Sequence, residues 1–500
     1  MLELDSVLDV RVADVVREQA AARPAHPAVR HRERTLTYAE LDERSNRLAQ
    51  FLLSAGAGQG SRIAHLDRSA PEVVELLAAA AKIGAVAVPL NWRLAAPELT
   101  VIATDADAPL ILAGPEFMDV ATDVAAQVPQ DLRVVAIGDE YEQLLAASRP
   151  VDPGGRGEAD DPVLQMYTSR KTGVPKGVLT THRNLAAATL NVPVWSFDAD
   201  SVSLTPLPMF HVGGIGWTYL GLSQGATTIL VSEFDPAAVL DQLESERVTN
   251  AVFVPTILQM LTSVPGAADR EFAALRSIAY GASPITTPVL RAALRTFDCE
   301  LFGVYGLTET TGGVVLLAPG DHEREELLRA AGRPSPWMEL RIIDGEVWLR
   351  GPNVMAGYAN RPAETAKALT ADGWLRTGDG GYLDDEGYLF LTDRLKDMVV
   401  SGGENVYPIE VEDALAHHPA VAEVAVIGVP DARWGEAVKA LVVLRPNVTA
   451  SAQELVAFAR ERLAGYKLPR SVDFVAELPH TPSGKVRKQE LRDRYRGAAG

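Results

Sequence analysis

The sequence predicts an α/β protein in two parts. A large N-terminal domain (residues 1–393) holds helix-covered, largely parallel sheets plus a small β region, and a smaller α+β C-terminal domain (residues 394–500) follows. Three observations predict this. Short apolar runs alternate with helical patterns through most of the chain, the signature of parallel strands joined by crossover helices. From Gly345 the texture turns to short aromatic-rich runs with Gly, Asp and Asn turns. A charged, glycine-rich stretch from Asp393 to Asn405 then precedes a fresh helix–strand–strand–helix order, enough for a domain of about a hundred residues.

The elements follow in order. Thr37 and Glu40 have capping-box spacing, and Leu41, Leu48 and Leu52 continue at helical spacing. Residues 63–66 read as a strand, 71–82 as a helix and 85–90 as a second strand. Strand-like runs recur at 110–112, 134–137, 163–166, 228–231, 251–254, 277–280 and 301–305. The β region includes 347–349 and 388–391. The last domain offers a helix at 408–416, strands at 424–429 and 440–444, and a helix opened by Ser451 and Glu454 in capping-box spacing. The tail from Arg494 is expected to fray.

Composition excludes several classes. Lys plus Arg is 47 against 66 Asp plus Glu, a net charge of −19, which argues against a non-specific nucleic-acid binder. It leaves room for anionic ligands held by backbone N–H groups and a few cations. A hydrophobic content of 47% excludes a disordered chain. The single cysteine, Cys299, allows neither an intrachain disulfide nor a thiolate metal cluster and fits a reducing compartment. The acidic start Met1-Leu2-Glu3-Leu4-Asp5 is unlike a signal peptide. The apolar stretch 73–90 is interrupted by Glu75 and Lys82 and is too short for an integral membrane segment. The expected location is cytoplasmic.

Five segments carry candidate chemistry. After the apolar run 163–166 come Thr168, Ser169, Arg170, Lys171, Thr172, Gly173, Lys176 and Gly177. These hydroxyls, glycines and cations suit a polyphosphate, although the spacing is not that of a Walker loop and reads equally well as a solvated turn. Gly281, Ala282 and Ser283 end one predicted strand, and Tyr305, Gly306, Leu307, Thr308 and Glu309 end another. Ligands of open α/β sheets sit beyond such ends, where glycines admit a flat ligand, Thr308 offers a hydroxyl and Glu309 a hard oxygen for magnesium. Taken alone, both segments also read as tight turns. Asp379 follows Thr377-Gly378 in a turn suited to paired sugar hydroxyls, or simply to solvent. Asp393, Arg394, Gly402 and Gly403 lie at the domain boundary and suit a hinge or a surface linker. Lys485 stands on a Gly/Pro turn near the C-terminus.

In this order and separation, the segments resemble the superfamily of acyl-adenylate-forming, AMP-binding enzymes from about Val12 to Tyr495. The flavour is that of bacterial fatty-acyl-CoA ligases, carried by Pro208-Met209-Phe210-His211-Val212 and by Ser401-Gly402-Gly403-Glu404-Asn405-Val406-Tyr407. The resemblance implies an ATP-dependent carboxylate–CoA ligase, with ATP, Mg²⁺ and coenzyme A taking part. A fatty or aromatic acid would become acyl-AMP, and a thiol would then displace AMP. By the same resemblance, residues 168–177 would hold the β- and γ-phosphates, Thr308 the α-phosphate and Glu309 magnesium. Gly281, Ala282, Ser283, Tyr305 and Gly306 would frame adenine, and Asp379 with Arg394 would hold the ribose. Lys485 would bridge carboxylate and α-phosphate. The small domain would turn about Asp393, bringing Gly402 and Gly403 to the pantetheine channel.

The acyl pocket would take Phe210, His211, Trp217, Val254, Gly303, Val304, Gly306 and Leu307, with His211 as gate or packing residue. It holds neither an acid for an amino group nor an arginine for a second carboxylate. One departure stands out: the family's Gly-Thr pair in the phosphate loop is here Arg170-Lys171, which removes a flexible residue and a hydroxyl and adds two cations. Two alternatives therefore stay open, a stand-alone enzyme loading an acyl carrier protein and an adenylate-binding protein with impaired catalysis.

Overall fold

Strand–helix alternation can bury its apolar residues only if sheets stack with helices between them, and the chain does this with two large sheets. The computed structural model describes residues 4–155, 157–168, 175–394, 399–401, 404–431, 434–463, 465–481 and 484–496. The first sheet has nine strands in the spatial order Arg333–Pro334, Gly312–Leu317, Glu300–Leu307, Ser277–Gly281, Asn250–Phe253, Val202–Thr205, Thr227–Leu230, Pro27–His31 and Arg34–Thr37. The six strands from Glu300–Leu307 to Pro27–His31 are parallel. The second has seven, in the order Gly357–Tyr358, Lys176–Thr181, Pro162–Thr168, Val86–Pro89, Arg62–Leu66, Leu110–Ala113 and Arg133–Ala136, the last five parallel.

Between the sheets lie the helices Val12–Ala22, Tyr38–Ser54, Pro71–Ile83 and Val212–Ser223, whose apolar faces share one core with strand residues from both sheets. Thr37 caps the second of these, its hydroxyl accepting from Glu40 N while the Glu40 carboxylate takes Thr37 N, the predicted capping box. Two polar contacts fix the layers. The buried Tyr38 hydroxyl donates to Ala226 O at 2.7 Å, and Lys82, fully buried, donates to Asp42 Oδ1 at 2.6 Å, Ser45 Oγ at 2.8 Å and Asn46 Oδ1 at 2.7 Å. A buried ammonium with three acceptors is tolerated, whereas an unpaired one would cost several kcal/mol.

A four-stranded antiparallel sheet (Glu339–Ile343, Glu346–Arg350, Leu375–Leu383, Leu389–Arg394) follows, as the change of texture predicts. Among the described residues, every strand from Val399 onward belongs to a five-stranded sheet. Its long hairpin Val421–Asp431/Gly435–Leu444 packs under the helices Pro408–Ala416 and Ala452–Arg460. The expectation that the tail frays from Arg494 to Gly500 is corrected for residues 494–496: the last helix runs Lys488–Arg496, with Arg494 paired to Glu490 one turn earlier, and residues 497–500 lie outside the described ones. Among the described residues, no helix is long and apolar enough to cross a membrane.

His65, on the second sheet, is 2% exposed and its Nε2 has no partner among the described residues, so burial holds its pKa down to about 3. The folded chain therefore stays neutral at His65 where the unfolded chain, at about 6.5, takes up a proton, and stability falls as pH drops through that window. Going from pH 7 to 5 is expected to cost about 2 kcal/mol through this group. Denaturant unfolding of His65→Leu at both pH values should show a loss smaller by that amount.

Candidate active site

The carboxyl ends of the parallel strands in the nine-stranded sheet gather most of the residues singled out. Ser277–Gly281 runs beside Glu300–Leu307 in register, Gly281 opposite Val304. A Cβ at Gly281 would fall 2.1 Å from Val304 O, so only glycine lets the two strand ends meet. Ala282 follows in the left-handed region (φ 67°), a strained conformation for a residue with a side chain. The turn is anchored from behind by Tyr280, whose hydroxyl meets His322 Nε2 at 2.8 Å. His322 Nδ1 lies 2.9 Å from Ala318 O, which places the proton on Nδ1 and makes Nε2 the acceptor for Tyr280.

On the neighbouring strand the Tyr305 hydroxyl donates to Asp379 Oδ2 at 2.9 Å, joining the nine-stranded sheet to the four-stranded one. Asp379 is 8% exposed, and its backbone pairs across the sheet with Arg394, as Gly380 does with Asp393. Thr308 and Glu309 form the 3-10 turn that ends the strand, and Gly306 lies against Gly312 at the mouth of the following hairpin. Thr168 and Lys176 face each other at the end of the hairpin Pro162–Thr168/Lys176–Thr181. Ser169, Arg170, Lys171, Thr172 and Gly173, like Gly402 and Gly403, lie outside the described residues.

Three connections escape the sequence. Tyr358 donates its hydroxyl to Glu309 Oε1 at 2.9 Å, and its ring lies 3.9 Å from Lys176 Nζ. Lys176, 3% exposed, pairs with Glu364 at 2.9 Å. A single tyrosine thus ties the candidate metal carboxylate to the candidate phosphate lysine. The only local signal is a Gly-Tyr pair ahead of the helix Pro362–Ala368, which carries no chemistry by itself. The third connection brings in the tail. Thr256 Oγ1 donates to Gly484 O at 3.1 Å, and a Cβ at Gly484, itself left-handed at φ 78°, would lie 3.2 Å from Val254. The turn is closed by Gly484 N to Thr481 O and Lys485 N to Thr481 Oγ1.

That turn brings Lys485 close enough to affect His211. The imidazole pKa is held down to about 4, first by burial and then by the cations of Lys485 and Arg93. Its Nε2 is buried and has no partner among the described residues, and Phe210 stacks obliquely on the ring at 4.5 Å. Val254, Val304 and Trp217 lie on the same side of the sheet's end or beneath it. Two expected pocket residues do not join them. Gly303 turns its open side to Leu317 and Tyr280, because successive strand residues face opposite ways and Val304 takes the pocket side. Leu307 packs against Val178, Met355 and Tyr358 instead.

Among the described residues no three His, Cys, Asp or Glu side chains form an all-protein metal cage. A lone carboxylate such as Glu309 suits magnesium that arrives with phosphates, since that ion commonly keeps only one or two protein carboxylates.

Comparison with known proteins follows this geometry. The profile described as "AMP-binding enzyme" matches residues 16–359, and "AMP-binding enzyme C-terminal domain" matches residues 410–485. The chain is 42% identical to a feruloyl-CoA synthase of an Amycolatopsis species, over 95% of this chain and 97% of that one. It is 39% identical to the fatty acid–[acyl-carrier-protein] ligase ScoC of Streptomyces coeruleorubidus, over 96% and 95%. The crystal structure of ATP-bound MatB from Rhodopseudomonas palustris superposes with a TM-score of 0.90 at 29% identity, covering 98% of this chain and all of that one.

If Lys485 acts on His211 through charge, Lys485→Ala should raise the His211 pKa from about 4 while leaving it below 6.5, because burial is the larger cause. An NMR titration of the His211 ring checks this.

Proposed function

The chain belongs to the AMP-binding enzyme family, and from that premise we propose that it is an ATP-dependent carboxylate–CoA ligase. In the first half-reaction a carboxylate oxygen bonds to the α-phosphorus of ATP and the bond to the β-phosphate breaks, giving acyl-AMP and pyrophosphate. In the second, the thiol of coenzyme A takes the acyl group and AMP leaves. Similarity to feruloyl-CoA synthase supports the thioester product, and similarity to ATP-bound MatB supports the nucleotide.

The observation that supports the reading is the seating of the Gly484 turn on Thr256, which brings Lys485 near enough for its charge to be felt at His211. A carboxylate approaching a triphosphate is anion meeting anion, so catalysis depends on positioning and charge compensation. Lys485 supplies a cation where the two reactants join. Lys176, with residues 168–177, holds the outer phosphates, and Thr308 the α-phosphate. Tyr305, Gly281, Ala282 and Ser283 frame the base, and Asp379 takes the ribose hydroxyls. When bound, Mg²⁺ would be held by Glu309 with substrate phosphates and would offset their charge. His211, kept neutral, adds no second positive charge near Lys485. We take residues 394–500 as the unit that turns about Asp393, withdrawing Lys485 once pyrophosphate has left so that Gly402 and Gly403 line the thiol's path.

Two further readings have an observation each. Similarity to ScoC favours an acyl carrier protein as acceptor, and rates with coenzyme A against holo-carrier decide between them. Arg170-Lys171 favours an adenylate-binding protein with impaired catalysis.

Lys485→Ala is expected to lower ATP–pyrophosphate exchange by about a hundredfold, in line with loss of a preorganised charge, while keeping most thioester formation from supplied acyl-AMP. Equal loss in both halves would refute its role. The unaltered chain should also exchange pyrophosphate with ATP. Exchange that arises only after Arg170→Gly with Lys171→Thr would assign the chain to the impaired class.

A further inference from the structure

Resting on the ligase reading, we propose that Tyr358 is a positioning residue for the magnesium that accompanies ATP. Its hydroxyl sets the Glu309 carboxylate, and its ring registers that carboxylate with the hairpin strand Lys176–Thr181. Packing does not call for the hydroxyl. Tyr358 is 9% exposed, and its ring shares an apolar cluster with Val178, Met355 and Leu375. Phenylalanine would fill that space equally well. The hydroxyl instead donates to Glu309 Oε1 at 2.9 Å. The second oxygen, Oε2, makes no hydrogen bond among the described residues and is left for a cation.

The main chain fixes the tyrosine before its side chain reaches anything. It lies on the two-residue strand Gly357–Tyr358, which pairs with Leu179 and Val178 of the hairpin. Ala359 N donates to Gly177 O at 2.8 Å, and Tyr358 N to Thr365 Oγ1 at 2.9 Å. Three residues earlier, Met355 N donates to Glu309 O at 2.9 Å. The same short segment is therefore stitched to the hairpin on one side and to the backbone of Glu309 on the other.

The ring face carries a further restraint. Lys176 Nζ lies 3.9 Å from its centroid and pairs with Glu364 at 2.9 Å. Glu364 is 3.5 Å from Arg361, and Arg361 reaches Asp105 at 2.9 Å. Asp105 also takes the Tyr167 hydroxyl at 2.9 Å. A run of alternating charges thus leads from the seven-stranded sheet to the ring, and the Tyr358 hydroxyl carries it to the strand end of the nine-stranded sheet. A carboxylate turned by a fixed donor keeps its open oxygen in one direction. Outer partners of this kind are worth about 10–100-fold in metal affinity.

The test compares two states of the nucleotide. Binding of Mn²⁺·ATP is read from the relaxation of water protons by Mn²⁺, and binding of ATP alone, in EDTA, by calorimetry. Tyr358→Phe keeps the ring and its contact with Lys176. It should weaken Mn²⁺·ATP binding about tenfold and leave metal-free ATP binding unchanged. Half-saturating Mg²⁺ in ATP–pyrophosphate exchange should rise by a similar factor, with exchange restored at excess Mg²⁺. On a Glu309→Ala background the same change should have no further effect, because Tyr358 acts through that carboxylate. Equal Mn²⁺·ATP affinity with and without the hydroxyl, equal loss with and without metal, or a further loss on the Glu309→Ala background would overturn this inference and leave the ligase reading standing. An unaltered chain that binds ATP in neither state and exchanges no pyrophosphate would overturn the ligase reading and this inference with it.

Discussion

One contact makes a single site from two distant parts of the chain: the turn at Gly484 resting on Val254 and Thr256. A hydroxyl–carbonyl hydrogen bond of 3.1 Å and a left-handed glycine hold it. This is a small contact, worth about 1 kcal/mol for its hydrogen bond. Among the described residues, other links between the same regions include polar ones. Thr287 gives both its N–H and its hydroxyl to Asp413 at 3.1 Å, and Gln259 Nε2 reaches Ala422 O at 2.8 Å. Interfaces of this kind can be left and re-formed without exposing a large apolar face. The body beneath is built in the opposite way, with layers locked by buried Tyr38 and Lys82 and a core shared by both sheets. A rigid platform with a lightly attached turn above it is the arrangement that the proposed two-step reaction would use.

The charge balance makes sense on the same scale. A chain of net charge −19 does not attract polyanions through its overall field. The cations that matter are local. Lys176 is buried against the Tyr358 ring and paired to Glu364, which fixes its position more than its charge. Arg93 lies on the Trp92 face at 4.0 Å, close enough to His211 to help depress its pKa. Each cation is oriented by an aromatic ring. Such placement limits the reorganisation that would otherwise be needed as charge moves during reaction.

Much of this was legible in the sequence, for reasons that can be named. Parallel strands buried on both faces read as short apolar runs, so 63–66, 110–112 and 277–280 fall within a residue or so of the strands Arg62–Leu66, Leu110–Ala113 and Ser277–Gly281. Capping boxes at Thr37 and Ser451 are local codes and were readable as such. Contacts made only by tertiary packing were not. Tyr358, Glu364 and Thr256 sit in unremarkable local sequence and acquire meaning from what folds against them. The face of Gly303 could not be read, because a strand position names a residue without its face, and a Cβ there would meet Leu317 and Tyr280. A shift of one residue moves a side chain from one face of the sheet to the other.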